Sequence, residues 1–173
     1  MSRVFTAALT LLASIFLIAT ACNKSEGNEN LFYELEGRDG ISIFKIPVLL
    51  FNGIASLELK EGDAIDDLGD IEIVKVLVFD QKSAKKMTLS EVSGIITAKL
   101  TGMGYEELLQ VSASGIATTA FLLDNGQYIS DLMVVITEGE SIIGIGLSGR
   151  LDINTISKFA SGFDYSIIKE YID

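Results

Sequence analysis

Paired carboxylates come closest to a catalytic constellation in this sequence. Glu106-Glu107 and Glu138/Glu140 are the nearest pairs, and two carboxyls about 5–9 Å apart around a sugar can hydrolyse a glycosidic bond. Adjacent residues of a strand point to opposite faces, so Glu106 and Glu107 are expected to diverge. Glu138 and Glu140 straddle a turn signal, and the absence of Trp removes the indole platform for sugar stacking. A second acidic group, Glu61, Asp63, Asp66, Asp67, Asp70 and Glu72, is dense enough to suggest Ca²⁺, which takes clustered carboxylate oxygens. Its order does not fit an EF-hand, so Asp63, Asp66, Asp67 and Asp70 are read as a weak calcium candidate within a solvated connection. The serines of Ser112-Ala113-Ser114-Gly115 and Ser148-Gly149 lie in no G-x-S-x-G elbow. The sequence has no His, which excludes Ser-His-Asp and Cys-His catalysis and any His-ligated metal. Gly144-Ile145-Gly146-Leu147-Ser148-Gly149 lacks the Gly-Lys-Ser/Thr ending of a phosphate loop. It fits better as a strand with one bare face, on which a helix can pack closely.

The only cysteine, Cys22, is the residue with the clearest chemistry. Arg3 is the only charge before Lys24, and Val4 to Ala21 is an apolar run ending in small residues. A positive start, an apolar core and a small-residue boundary make an export signal. The ending Ala19-Thr20-Ala21-Cys22 resembles the lipobox of bacterial lipoproteins, in which the Cys is acylated and becomes the mature N-terminus. Ala19 departs from the Leu, Ile or Val usual in that class. The alternative is an uncleaved transmembrane anchor, since the run is just long enough to span a bilayer. Either way the rest of the chain is expected to be tethered to a membrane, outside the cytoplasm. Several acyl chains, at about 0.8 kcal/mol per buried methylene, hold a protein durably. With no second Cys, the exported part must fold on its apolar core alone. By analogy with Gram-negative lipoproteins, Asn23 in place of Asp favours the outer membrane, facing the periplasm or the cell surface.

These residues need elements to position them. The 173-residue chain suits one domain, and its 49% hydrophobic content excludes disorder. Residues 1–21 read as the signal peptide, 22–30 as a flexible polar tether, 31–162 as the folded domain and 163–173 as a tail. Strands are expected at Ile41–Ile46, Ile71–Phe79, Tyr105–Ser112, Ile116–Leu123, Tyr128–Thr137 and Ser141–Ser148. Near-continuous apolarity makes Ile71–Phe79 a central strand. Helices are expected at Val48–Leu57 after Pro47, from Thr88 to about Gly102, and at Ile153–Ala160. Thr88-Leu89-Ser90-Glu91 forms a capping box for the second, and Gly102-Met103-Gly104 a C-cap. Asn125-Gly126 is a type I′ hairpin signal. The order β-α-β-α-β-β-β-β-α implies an α+β two-layer sandwich: a mostly antiparallel sheet of about six strands with helices on one face. If the first two strands are parallel, their crossover is right-handed. The apolar tail residues Phe163, Tyr165, Ile167, Ile168 and Tyr171 either dock on the domain or bind a partner.

Three segments together carry a family likeness: Gly104-Tyr105-Glu106-Glu107-Leu108, Ile129-Ser130-Asp131-Leu132-Met133-Val134-Val135, and Leu147-Ser148-Gly149-Arg150-Leu151-Asp152-Ile153. In this order and spacing they resemble the DUF4252 family of Bacteroidota lipoproteins, over roughly residues 31–161. The second segment begins Ile-Ser-Asp where the family has Glu. The resemblance implies a bacterial envelope lipoprotein of unknown function and supplies no catalytic residues. The expectation is a non-enzymatic domain that uses no cofactor and is held to the membrane by its lipid. Its partner is expected to be an envelope protein or small ligand; an accessory role in envelope stress signalling is a further alternative. Nucleic acid is not expected, because a net charge of −11 repels phosphates and Lys82, Lys85 and Lys86 are too few to make a groove.

Overall fold

The computed structural model describes residues 27–50 and 70–152, together with residue 156. The signal peptide, Cys22, Asp63, Asp66, Asp67 and the 163–173 tail lie outside the described residues. So do the greater part of the Val48–Leu57 helix and all of Ile153–Ala160 except Ile156.

Six strands form one antiparallel sheet. They are β1 (Ile41–Ile46), β2 (Asp70–Asp80), β3 (Glu106–Ala113), β4 (Ile116–Asp124), β5 (Ile129–Glu138) and β6 (Ser141–Leu151). The order across the sheet is β1-β2-β6-β5-β4-β3. β3 to β6 form the expected meander, and β2 lies against β6 with β1 outside it. β1 and β2 are antiparallel neighbours, so the conditional right-handed crossover does not arise. β2 and β6 are flanked on both sides and buried on both faces, which is why their sequences are apolar with little alternation.

Two helices, α1 (Gly27–Leu35) and α2 (Leu89–Gly102), pack on one face of the sheet, giving an α+β sandwich. Leu31, Phe32 and Leu35 of α1 and Val92, Ile96 and Leu100 of α2 share a core with Leu77, Phe79, Phe121, Met133 and Ile142. The opposite face carries a second apolar cluster, with Val74, Val76, Leu132, Ile136, Ile145 and Leu147. Val48 and the helical Ile156 pack into it, and the Ile156 N–H donates to the Asp152 carbonyl at 3.2 Å.

The capping box forms as its spacing predicts. The Glu91 N–H donates to Thr88 Oγ1 at 3.3 Å, and the Thr88 N–H to Glu91 Oε2 at 2.8 Å. At the other end of α2, Gly104 takes φ +87. The Gly104 N–H reaches the Thr101 carbonyl and the Tyr105 N–H the Leu100 carbonyl, a Schellman closure that turns Tyr105 back into the core.

Two expectations are corrected. The tether read over residues 22–30 gives way to helix at Gly27, and Asn28 in its first turn is 2% exposed. The stretch looked like a linker because it has no apolar side chain; what buries Asn28 is hydrogen bonding. Asn125-Gly126 does not make a type I′ turn either, because Asn125 does not take positive φ. The side chains of Asp124 and Asn125 instead accept the N–H groups of Gly126, Gln127 and Tyr128, wrapping a longer loop. Positive φ at two successive positions occurs at Ser114 (52°) and Gly115 (84°), the two-residue turn between β3 and β4.

Candidate functional site

The chemistry expected at exposed positions is dispersed by the fold. Glu106 and Glu107 are exposed on β3, opposite Leu122 and Phe121, which as adjacent strand residues point to opposite faces. Glu138 ends β5, while Glu140 lies in the following turn, its carboxylate 3.8 Å from Lys82 Nζ. Asp70, the one described member of the calcium candidate, is exposed at the start of β2, in register with Arg150. Among the described residues no group of three carboxylate or thiol side chains is arranged to hold a metal. Ser112 is exposed on the edge strand, and Ser114 belongs to the turn. The glycine run is the predicted bare strand: a methyl at Gly146 would lie 2.5 Å from the Phe32 ring, and one at Gly144 2.7 Å from Met133 Cε. Gly146 lets α1 lie against β6, and Gly144 makes room for Met133.

The polar groups that do converge are buried beneath the N-terminus of α1. Asn28 is held by four hydrogen bonds. Its Nδ2 donates both hydrogens, to the carbonyls of Leu132 (3.1 Å) and Leu147 (3.0 Å). Its Oδ1 accepts from the Tyr105 hydroxyl at 3.0 Å. Its backbone N–H donates to Asp131 Oδ1 at 3.3 Å. The same Asp131 oxygen accepts from the Ser148 hydroxyl at 2.6 Å. Asp131 is 4% exposed. A buried carboxylate at this point is favoured by the positive end of the α1 dipole and by capping one of the free N–H groups of the first turn. The carboxylate fills the space that a side chain at residue 27 would need, so only glycine fits there.

Each element delivers its residue for a local reason. The Schellman turn after α2 aims Tyr105. β5 and β6 place Asp131 and Ser148 opposite one another. The β6 register then breaks between them and the Ile129–Leu151 pair, where Gly149 at φ +152 allows the Asp70 carbonyl to approach. Burial, and then the negative charge of Asp131, push the Tyr105 phenol well above its ordinary range. It stays a neutral donor at any physiological pH. Outside this cluster, Glu29 ion-pairs with Lys75 at 3.3 Å, Lys75 stands over the Phe32 ring, and Glu34 pairs with Lys99 of α2. Every side-chain polar atom of Asn28 is partnered. Such an arrangement locks a helix to a sheet.

The DUF4252 model, a domain of unknown function, matches residues 33–159. The chain belongs to that family. Tyr105, Asp131 and Ser148 lie within the matched segment of this DUF4252 protein, and Asn28 lies just before it. No curated protein and no solved structure matches the chain.

Sequence reasoning missed Asn28. The usable signal was its spacing: Asn28, Leu31, Phe32 and Leu35 recur at i, i+3, i+4 and i+7, one face of a helix. A polar residue on such a face needs partners elsewhere in the chain, and Asp131, Tyr105 and the carbonyls of Leu132 and Leu147 are the ones it finds.

Proposed function

We propose that this DUF4252 protein is a bacterial cell-envelope lipoprotein, a non-catalytic binding domain held to the outer membrane by an acylated Cys22. The observation that carries the reading is the position of the lone cysteine. It ends an apolar export run, and helix α1, described from Gly27, follows five residues on. Binding is supported by β3, an edge strand exposed along nearly its whole length, with Leu108 40% and Val111 54% exposed. An open edge offers unpaired backbone groups to an added strand. Glu106 and Glu107 at its start favour a partner segment carrying Lys or Arg.

Metabolic labelling with palmitate tests the anchor. The wild-type protein takes up label and partitions into detergent, while Cys22→Ala does neither. Equal labelling of the two, or none in either, contradicts the reading.

A further inference from the structure

One end of the sheet gathers features that the anchor alone does not explain. Ile46, Val74, Leu147, Leu132 and Leu122 lie in one register row across five strands. The N-terminus of α1 is bonded at that row, to the carbonyls of Leu132 and Leu147, and to Asp131 one residue beyond it. The chain leaves β1 past the same row, where Leu49 is 83% and Leu50 60% exposed. Tyr128 and Arg150 stack at this end too, 5.0 Å apart. Residues 23–26, whatever their path, let Cys22 stand at most about 18 Å from Gly27. From the Leu147 row the near end of β6, at Leu151, is about 13 Å away and the opposite end, at Ser141, about 20 Å; that opposite end carries Lys82, Lys85 and Lys86.

We propose that the end of the sheet bearing Leu49 and Leu50 rests on the lipid surface, with these two leucines inserted among the acyl chains. The proposal depends on the acylation of Cys22 and adds to it a fixed orientation. The lock on α1 fixes where the chain from Cys22 enters the fold, and a reach of about 18 Å covers the near end of the sheet but not the far one. Two bare leucines at the same end supply apolar surface, and Tyr128 and Arg150 are the residue types that settle at a membrane interface. Asp70, Asp124 and Asp152 at this end make lipid contact there apolar rather than electrostatic. β3 then stands upright beside the membrane, open along its length to a partner.

The rival orientation puts the three lysines on anionic headgroups, so the test lets the two compete. The acylated protein is placed in vesicles of phosphatidylcholine with one-fifth phosphatidylglycerol. A fluorophore is attached at Leu49→Cys or at Lys85→Cys; the lipid on Cys22 leaves no other thiol. Mass spectrometry first establishes the acyl group on Cys22, and its absence defeats the anchor itself. With acylation present, nitroxide-labelled lipid quenches the Leu49→Cys probe several-fold more than the Lys85→Cys probe. Equal quenching, or the reverse order, overturns the orientation while leaving the anchor standing. Circular dichroism matching that of the unsubstituted protein confirms that each variant is folded.

Discussion

Asn28 shows how a polar side chain can bind a helix to a sheet as firmly as an apolar one. Its amide uses both hydrogens and its oxygen without recourse to solvent. Asn28→Ala removes a donor from each of two strand carbonyls and the acceptor of the buried Tyr105 hydroxyl. The expected loss, measured by urea unfolding, is about 3 kcal/mol, since each stranded buried group costs about 1–3 kcal/mol with partial relief by relaxation. Tyr105 carries a pH signature. Its phenol ionises at higher pH in the folded chain than in the unfolded one, whose value is near 10. Above about pH 10 the unfolded state therefore loses this proton while the folded state keeps it, and stability falls as pH rises. Below that value the contribution is fully present. Tyr105→Phe is expected to flatten the alkaline limb of a melting-temperature profile while lowering stability near neutrality, because Asn28 Oδ1 loses its donor. An alkaline limb unchanged by the substitution would show that this phenol is not what titrates.

At the scale of elements, the bare strip of β6 sets how closely α1 approaches. Gly146→Ala places a methyl against the Phe32 ring and is expected to cost about 1–3 kcal/mol by overpacking. Phe32→Leu, combined with it, should return part of that loss. Additive losses in the double variant would mean that the two residues do not share the space. Gly104→Ala forces a side chain into the left-handed turn after α2, with an expected cost of about 1–2 kcal/mol in thermal unfolding. These are elements whose logic was legible beforehand. The six strands follow from β-branched runs punctuated by turn residues, and α2 from a capping box and a glycine C-cap. α1 was not legible in full, because its first turn is polar and its burial depends on Asp131 and the carbonyls of Leu132 and Leu147, more than a hundred residues away. Local pattern carries no trace of such a partner. The Asn125 loop failed for a related reason: side chains able to accept backbone N–H groups bent it into a wider turn than the dipeptide alone favours. Of the candidate site, the buried lock became apparent only once the strands were in register.

For the whole molecule, the buried lock bears on the proposed lipid anchor. Asn28 and Asp131 pin the N-terminal end of α1 to the sheet, and the proposed acylated Cys22 would stand five residues before Gly27. On a membrane, the excess of Asp and Glu over Lys and Arg would keep neighbouring domains apart. The short connection would hold each of them against the membrane with β3 available. Hydrogen exchange read by mass spectrometry on the purified acylated protein tests this most directly. The account predicts a first peptide that begins at Cys22 with its acyl mass, and amides of Leu31–Leu35 that exchange as slowly as those of β5 and β6. A first peptide that begins at Met1 with a free thiol, or α1 amides that exchange at the rate of an unstructured chain, would contradict it.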